Sequence, residues 1–381
     1  MRRPTIADIA RECGVSSTAV SFALNGRPGI SEERRRQIQD VAARLGWTPS
    51  AAARALATSR VDAIGLVITA PFTTLARDTF YLQLIAGIEK ALAETPVVLV
   101  LKMVESLDAE VEAIRAWHAQ RRVDAVILVN PREQDPRPDL VREIGMRAVF
   151  LGDPPPESGA SSVFVDDAQT MRLLLRDVAA LGCRSLAYLH SSVTAAYRHE
   201  GQRLEALADT DEIAVTVSPA CDGGDPRGGP SVAARIDELV LGGVPDIVLC
   251  EDETITLAAL SRLSEHGLRV PEDLGLISWE SSPGLAYRRP AISSIDRDPM
   301  ILGQAAVEVL DELRTADAPI RRVIDPPRLV LRDSLVRRPP HDATSHDTTS
   351  HGSTPAGAGP AGAGPADAAP AEISPGSRSD A

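Results

Sequence analysis

The hydrophobic positions of this chain keep two different periods, and the change falls near residue 60. Over residues 5 to 45 the apolar residues recur at helical spacing in three groups. These are Ile6, Ile9 and Ala10; Val20, Ala23 and Leu24; and Ile38, Val41, Ala42 and Leu45. Each group makes one stripe on a short helix, and three stripes can close one small core. Gly14 is placed to end the first helix and Asn25-Gly26 the second, because both residue types tolerate the left-handed turn that stops a helix. Ser31 followed by Glu32 and Glu33 starts the third, with a hydroxyl cap and acids on the positive end of the helix dipole. The next stretch, TPSAAARALATSR (residues 48 to 60), is Ala-rich with Ser50 as a cap. It is too short to hold a helix alone, so it reads as a linker or as a helix that forms only against a partner.

From Val61 onward, apolar β-type runs alternate with amphipathic segments. The runs are DAIGLVIT, PVVLVL, VDAVILVN, RAVFLG, SLAYLH, EIAVTV, DIVLC, LGLISW and PRLVLRD. Between most of them lie helical patterns such as Leu82 to Ala93, Ala109 to Gln120, Gln169 to Leu181 and Thr254 to His266. Near-continuous apolar strands separated by helices indicate parallel sheets covered on both faces. The length of this region suits two doubly wound lobes better than one. The expected fold class is therefore α/β: an all-α three-helix head, then two doubly wound parallel-sheet lobes. The expected boundaries are 1–48 for the head, 49–60 for a hinge helix, 61–337 for the two-lobed domain and 338–381 for a tail. The tail is rich in Pro, Gly, Ala and Ser without core residues, the composition of a disordered segment.

Charge sharpens the division. The chain carries a net charge of −13, yet its first sixty residues hold ten Arg against five Asp or Glu. A basic head on an acidic body suggests that the head alone meets a polyanion. Four cysteines (Cys13, Cys183, Cys221 and Cys250) lie far apart with no C-x-x-C pair, so neither a disulfide framework nor a structural metal is expected. There is no secretory leader and no apolar run long enough for a bilayer, which points to a cytoplasmic protein with no membrane partner. No P-loop, dinucleotide fingerprint, G-x-S-x-G or metal-ligand cluster occurs, so no catalytic residue and no cofactor is assigned.

Two helices joined by a tight turn at Gly14 are the helix-turn-helix arrangement. On the second helix Ser17, Thr18, Ser21 and Phe22 face outward. Small hydroxyl residues let such a helix sit deep in a major groove, where Ser16, Asn25 and Ser31 offer phosphate contacts. The segment TIADIARECGVSSTAVSFALNGRPGISEERRRQIQDVAARLGWTPSAAARALATSR closely resembles the DNA-binding head and hinge of the LacI/GalR family of bacterial repressors. A weaker likeness extends to about Val336 through RVPEDLGLISWESS and AISSIDRDPMILGQAAVEVL.

That resemblance implies a homodimer gripping double-stranded DNA at a pseudo-palindromic operator. Residues matching Ser17, Thr18 and Phe22 would choose bases; Thr5, Ser16, Ser21, Asn25 and Ser31 would fix phosphates. The usual family residue at position 22 is Arg, so Phe22 departs from the pattern. In the hinge, Ala53 would pack against its symmetry mate, Arg54 would reach phosphate, and Leu56 would wedge into the minor groove. The lobes would resemble periplasmic sugar-binding proteins, with a small-molecule, carbohydrate effector between them. Phe80, Tyr81, Phe164, Ser192, Thr194, Arg198, Asp252 and Glu280 would line that site, with Arg198 and the two carboxylates matching a hydroxylated ligand. The expected function is an effector-controlled transcriptional repressor. The competing readings are a ligand-independent DNA binder and a sugar-acting enzyme with a helix-turn-helix head.

Overall fold

The computed structural model of the protein describes residues 4–47, 60–72, 79–192, 194–221 and 231–337. Three helices, α1 (Ile6–Cys13), α2 (Ser17–Leu24) and α3 (Glu32–Arg44), form the head. The three stripes meet as expected: Ile9, Ala10, Val20, Ala23, Ile38, Val41 and Ala42 are buried together, with Leu24 and Leu45 packed against them. Gly14 takes the left-handed conformation (φ 64°) that ends α1 and turns the chain into α2.

The first lobe is built from β1 (Ala63–Thr69), α4 (Thr79–Leu92), β2 (Val98–Val104), α5 (Leu107–Ala119), β3 (Ala125–Val129), α6 (Arg137–Glu143), β4 (Arg147–Leu151) and β5 (Ser162–Val165). The second contains α7 (Asp167–Ala180), β6 (Ser185–Leu189), α8 (Arg198–Ala208), β7 (Ala214–Val217), α9 (Val232–Gly242), β8 (Ile247–Cys250), α10 (Glu253–Glu265), β9 (Gly275–Ser278), α11 (Pro283–Ala286) and β10 (Ser293–Ile295). The chain then runs through α12 (Pro299–Glu312), β11 (Arg321–Ile324) and β12 (Leu329–Val330). Two six-stranded sheets result, in the orders β11-β5-β4-β3-β1-β2 and β12-β10-β9-β8-β6-β7. Every pairing is parallel except β10 with β12. β1 and β3 are buried along their whole length, which is why their sequences read as continuous apolar runs.

The strand order dictates three passages between the sheets, after β5, after β10 and after β11. The helices follow them. Met171, Leu174 and Leu175 of α7 belong to the core of the second sheet, and Leu302, Ala305 and Val309 of α12 to that of the first. All nine expected strands are present, and the structure adds β5, β10 and β11. These three have three or four residues each and read SVFV, SSI and RRVI, too short to stand out as buried runs. They flank the passages between the sheets. Among the described residues no helix is long and apolar enough to cross a membrane.

α12 lies against α4 almost backbone to backbone. A Cβ on Gly303 would stand 2.4 Å from the Leu84 carbonyl oxygen, and one on Gly87 would stand 2.1 Å from that of Met300. Neither obstacle is a flexible side-chain tip, so even one methyl group must push the helices apart. Gly303→Ala is expected to lower stability by about 1–3 kcal/mol, the usual cost of overpacking. Chemical denaturation checks this, and an unchanged midpoint would contradict the close approach.

Candidate DNA-reading helix and effector cleft

In the head, the polar residues expected to meet DNA first serve the helices themselves. Thr5 caps α1: its hydroxyl accepts from the Asp8 amide, while its own amide and hydroxyl donate to Asp8 Oδ2 at 2.9 and 2.7 Å. Both Thr5 donors are thus directed at Asp8. Ser16 caps α2 by accepting from the Ala19 amide, and Ser31 caps α3 by accepting from the Arg34 amide. Each hydroxyl uses a lone pair on its helix and keeps its O–H to donate. Asn25 closes α2 by donating from Nδ2 to the Ser21 carbonyl (2.8 Å) and hydroxyl (3.3 Å). Burial of Val20 and Ala23 turns Ser17 and Thr18 fully outward, with Ser21 and Phe22 half-buried on the flank. Ala53, Arg54 and Leu56 lie outside the described residues, as does the tail.

Between the lobes, Thr79, Phe80 and Gln83 of α4 face Glu280 and Ser281, which follow β9, across a pocket open to solvent. Arg297 and Pro299, on the passage into α12, complete its wall. The structure therefore brings Phe80 and Glu280 together, each from a different lobe. Tyr81 turns away from this pocket: it is buried in the first core, and its hydroxyl accepts from Asn130 Nδ2 at 2.8 Å. Phe80 and Tyr81 meet edge to face at 5.5 Å.

The other expected residues fall elsewhere. Arg198, at the start of α8, reaches the first lobe. Its amide donates to the Pro131 carbonyl, its Nε donates to the Asp153 carbonyl at 2.8 Å, and its guanidinium pairs with Glu133. The two carboxylates expected beside it are not its partners. Asp252 caps α10 by accepting from the Ile255 amide at 2.7 Å, and burial raises its carboxyl above the usual range. Phe164 is buried in β5 beneath the guanidinium of Arg321, 5.1 Å from the ring centre. Ser192 is exposed and donates its amide to the Cys221 carbonyl. The Thr194 hydroxyl lies 2.8 Å from Glu251 Oε2.

Glu251 leads to a buried charge network that sequence reading did not find. Arg203 lies 3.3 Å from Glu200, 3.2 Å from Glu251 and 3.6 Å from Asp167, all four buried. Its guanidinium sits 4.6 Å from the centre of the Trp279 ring. Asp167 also holds Arg297 at 3.1 Å, so the network touches the pocket wall. Glu251 Oε2 accepts from the Ser191 amide at 2.6 Å as well as from Thr194, which fixes the start of the loop before α8. His190 closes the circuit. Its Nε2 lies 3.0 Å from the Ser218 carbonyl, which can only accept, and its Nδ1 lies 3.1 Å from Glu200 Oε1. Oxygens facing both nitrogens favour the imidazolium. Its charge offsets the excess of three carboxylates over two guanidiniums.

Burial by itself would lower the His190 pKa, but the facing Glu200 carboxylate outweighs it and raises it above 6.5. For Glu200 burial acts upward, and His190 and Arg203 pull it below 4.5. Glu251 is pushed up to about 7 by burial and by the Glu200 charge, with Arg203 opposing.

A helix-turn-helix head joined to two parallel-sheet lobes that share a polar cleft is the architecture of a ligand-responsive DNA-binding regulator. Residues 5–50 match the family model for bacterial regulatory proteins of the lacI family, and residues 175–335 match that for periplasmic binding protein-like domains. The HTH-type transcriptional regulator CelR of Thermobifida fusca is 29% identical over 345 residues, covering 88% of this chain and 98% of the relative. A CelR–cellobiose complex superposes with a TM-score of 0.62 at 26% identity, over 87% of this chain and all of the other. A lac repressor dimer bound to operator and the anti-inducer ONPF shares the fold, with a TM-score of 0.75 at 23% identity, covering 88% of this chain and 100% of that one. Its head matches the lacI family model, and along most of its length the chain is similar to these regulators. Its curated relatives are transcriptional regulators rather than enzymes.

The network sets a direction for pH dependence. The folded state holds a proton on Glu251 more tightly than the unfolded chain, so stability present below its usual 4.5 is lost as pH rises through about 7. His190, raised above 6.5, acts the same way, its contribution complete below that value and lost as pH passes its folded pKa. Glu200, being lowered, loses its contribution only as pH falls below 4.5. His199, held well below 6.5 by burial and by Arg203 and Arg297, acts in the opposite sense, so the network is read from a difference: between about pH 6 and about pH 8 the thermal midpoint of the wild type should fall relative to that of Glu251→Gln. A wild-type midpoint that rises relative to that of Glu251→Gln over that window would contradict the network as described.

Proposed function

We propose that the protein is a homodimeric transcriptional repressor that acts in the cytoplasm. Its affinity for a pseudo-palindromic operator is set by a carbohydrate bound between the lobes. The observation that carries this reading is the pocket wall drawn from both lobes: Phe80 and Gln83 on one side, Glu280 and Ser281 on the other. A ligand there gains its full contact only when the lobes are in one relative position, so binding selects that position. An aromatic face beside a carboxylate, an amide and hydroxyls matches a sugar, whose rings have apolar faces and hydroxyl edges. Cellobiose, present in the similar CelR complex, is the first ligand to try.

The head would lie in the major groove with Ser17 and Thr18 toward the bases and with Ser16, Ser21, Asn25 and Ser31 toward phosphates. Thr5 would join them only by releasing Asp8. In the segment outside the described residues, Ala53, Arg54 and Leu56 would serve as packing surface, phosphate contact and minor-groove wedge. Dimerisation has a natural seat on β2. It is one edge of the first sheet, opposite β11, and Val98, Leu101 and Met103 are exposed along it. An exposed apolar edge is a pairing surface unless something covers it.

Two measurements test the proposal. A thermal-shift screen of mono- and disaccharides, followed by operator anisotropy, should find a sugar that changes operator affinity about 5- to 150-fold, and Glu280→Gln should weaken that sugar's binding. If no sugar shifts the midpoint or the operator affinity, the carbohydrate assignment is wrong. Leu101→Glu combined with Met103→Glu should shift sedimentation from dimer toward monomer and reduce operator affinity at least tenfold, a loss of about 1.4 kcal/mol or more. A variant that stays dimeric would exclude β2 as the interface.

A further inference from the structure

Phe22 stands on the outward flank of α2, one helical turn beyond Thr18, and has no group that can hydrogen-bond a base. The turn that follows supplies one. Gly26 adopts φ 66°, and the reversal it allows brings the Arg27 amide back to the Phe22 carbonyl at 2.9 Å. This is the bonding pattern of a helix C-terminus closed by a left-handed residue, and it sets the residue beyond the turn over the last helical turn. The side chain follows the backbone: the Arg27 guanidinium lies 5.8 Å from the centre of the Phe22 ring. Arg35 secures the same turn from behind, donating to the Ala23 carbonyl at 3.2 Å and the Arg27 carbonyl at 3.0 Å.

Arg27 also differs from three arginines of the head that are tied to carboxylates. Arg11 pairs with Asp8, Arg35 with Glu32 and Arg44 with Glu12. Among the described residues no carboxylate pairs with Arg27, and no acceptor takes its guanidinium protons. It is an exposed cation with five donors, held by a ring face beside the helix expected to enter the groove.

We propose that Phe22 and Arg27 form one reading unit, in which Arg27 contacts a guanine edge in the major groove and Phe22 positions it. Arg27 is thus a specificity-determining residue, and Phe22 is its platform. A guanidinium meets O6 and N7 of guanine with two parallel hydrogen bonds, and the stack limits the conformations it must give up to do so. The inference rests on the reading of the head as an operator-binding element.

The test is selection of binding sites from a random duplex library by the full-length protein at one fixed salt concentration. Wild type, Arg27→Ala, Arg27→Lys and Phe22→Leu are compared, with thermal midpoints as the folding check. Wild type is expected to prefer guanine at one position of each half-site. Arg27→Ala should lose that preference alone, by roughly 5- to 150-fold against the other bases, and Arg27→Lys should retain only part of it, because an ammonium can still donate to O6 and N7 but lacks the fork that stacks on Phe22. Phe22→Leu should weaken the same preference although it removes no polar atom. If Arg27→Ala selects the wild-type motif, the inference is overturned. Uniformly weaker binding rescued by Arg27→Lys identifies a phosphate contact, and unchanged binding identifies a surface residue. A wild-type protein that selects no motif at all instead overturns the operator reading itself, an outcome distinct from a motif shared by every variant.

Discussion

The covalent path of the chain governs the rest of this structure. Three passages join the two sheets, and the helix after each of the first two packs on the lobe the chain has just entered. α7 completes the second core and α12 completes the first. Neither lobe is a continuous piece of sequence, and neither can finish its core without the other's chain. The proposed effector pocket sits on the passage into α12, because Arg297 and Pro299 of its wall lie there. A ligand that touches Phe80 and Glu280 is therefore held by both lobes and by the strand between them.

Charge is distributed to match. The first lobe buries Arg137 against Glu110 and Asp135, and its guanidinium also donates to the Val129 and Asn130 carbonyls at the end of β3. The second lobe buries Arg203 among Glu200, Glu251 and Asp167. Removing one member of such a cluster strands the others without solvent, which costs far more than the pair contributes when intact. Both clusters lie at the carboxyl ends of strands, where open parallel sheets present their loops. They fix the loops that meet at the cleft, and through Asp167 and Arg297 one of them reaches the pocket wall.

How much of this was legible depended on how local its cause was. Caps and stops were readable because one residue type at one position decides them: Gly14, Ser16, Asn25-Gly26 and Ser31 stand where their chemistry predicts. Long apolar runs were readable because both faces of β1 and β3 are covered. The strands β5, β10 and β11 were not, since runs of three or four residues are too short to show a period. The Arg203 cluster was invisible for a different reason. Only Glu200, one turn before Arg203 on α8, is near in sequence; the other partners come from α7, the end of β8 and the residue after β9, which no spacing joins. Arg198 was expected beside Asp252 and Glu280, but it does not line the pocket and its partners Glu133 and Asp153 come from the first lobe. Phe22 was visible as a departure from the family pattern. Its contact with Arg27 required the Gly26 turn, which Asn-Gly hinted at without specifying.

Two distant sites on one chain are linked only if each changes the free energy of filling the other, and that linkage must be reciprocal. The most direct measurement is calorimetric titration of the effector into the protein alone and into the protein saturated with operator duplex. The account predicts that operator changes the effector Kd by the same factor, about 5- to 150-fold, by which effector changes the operator Kd. Identical effector Kd values with and without operator would mean that the cleft and the reading helix do not communicate, and would contradict it.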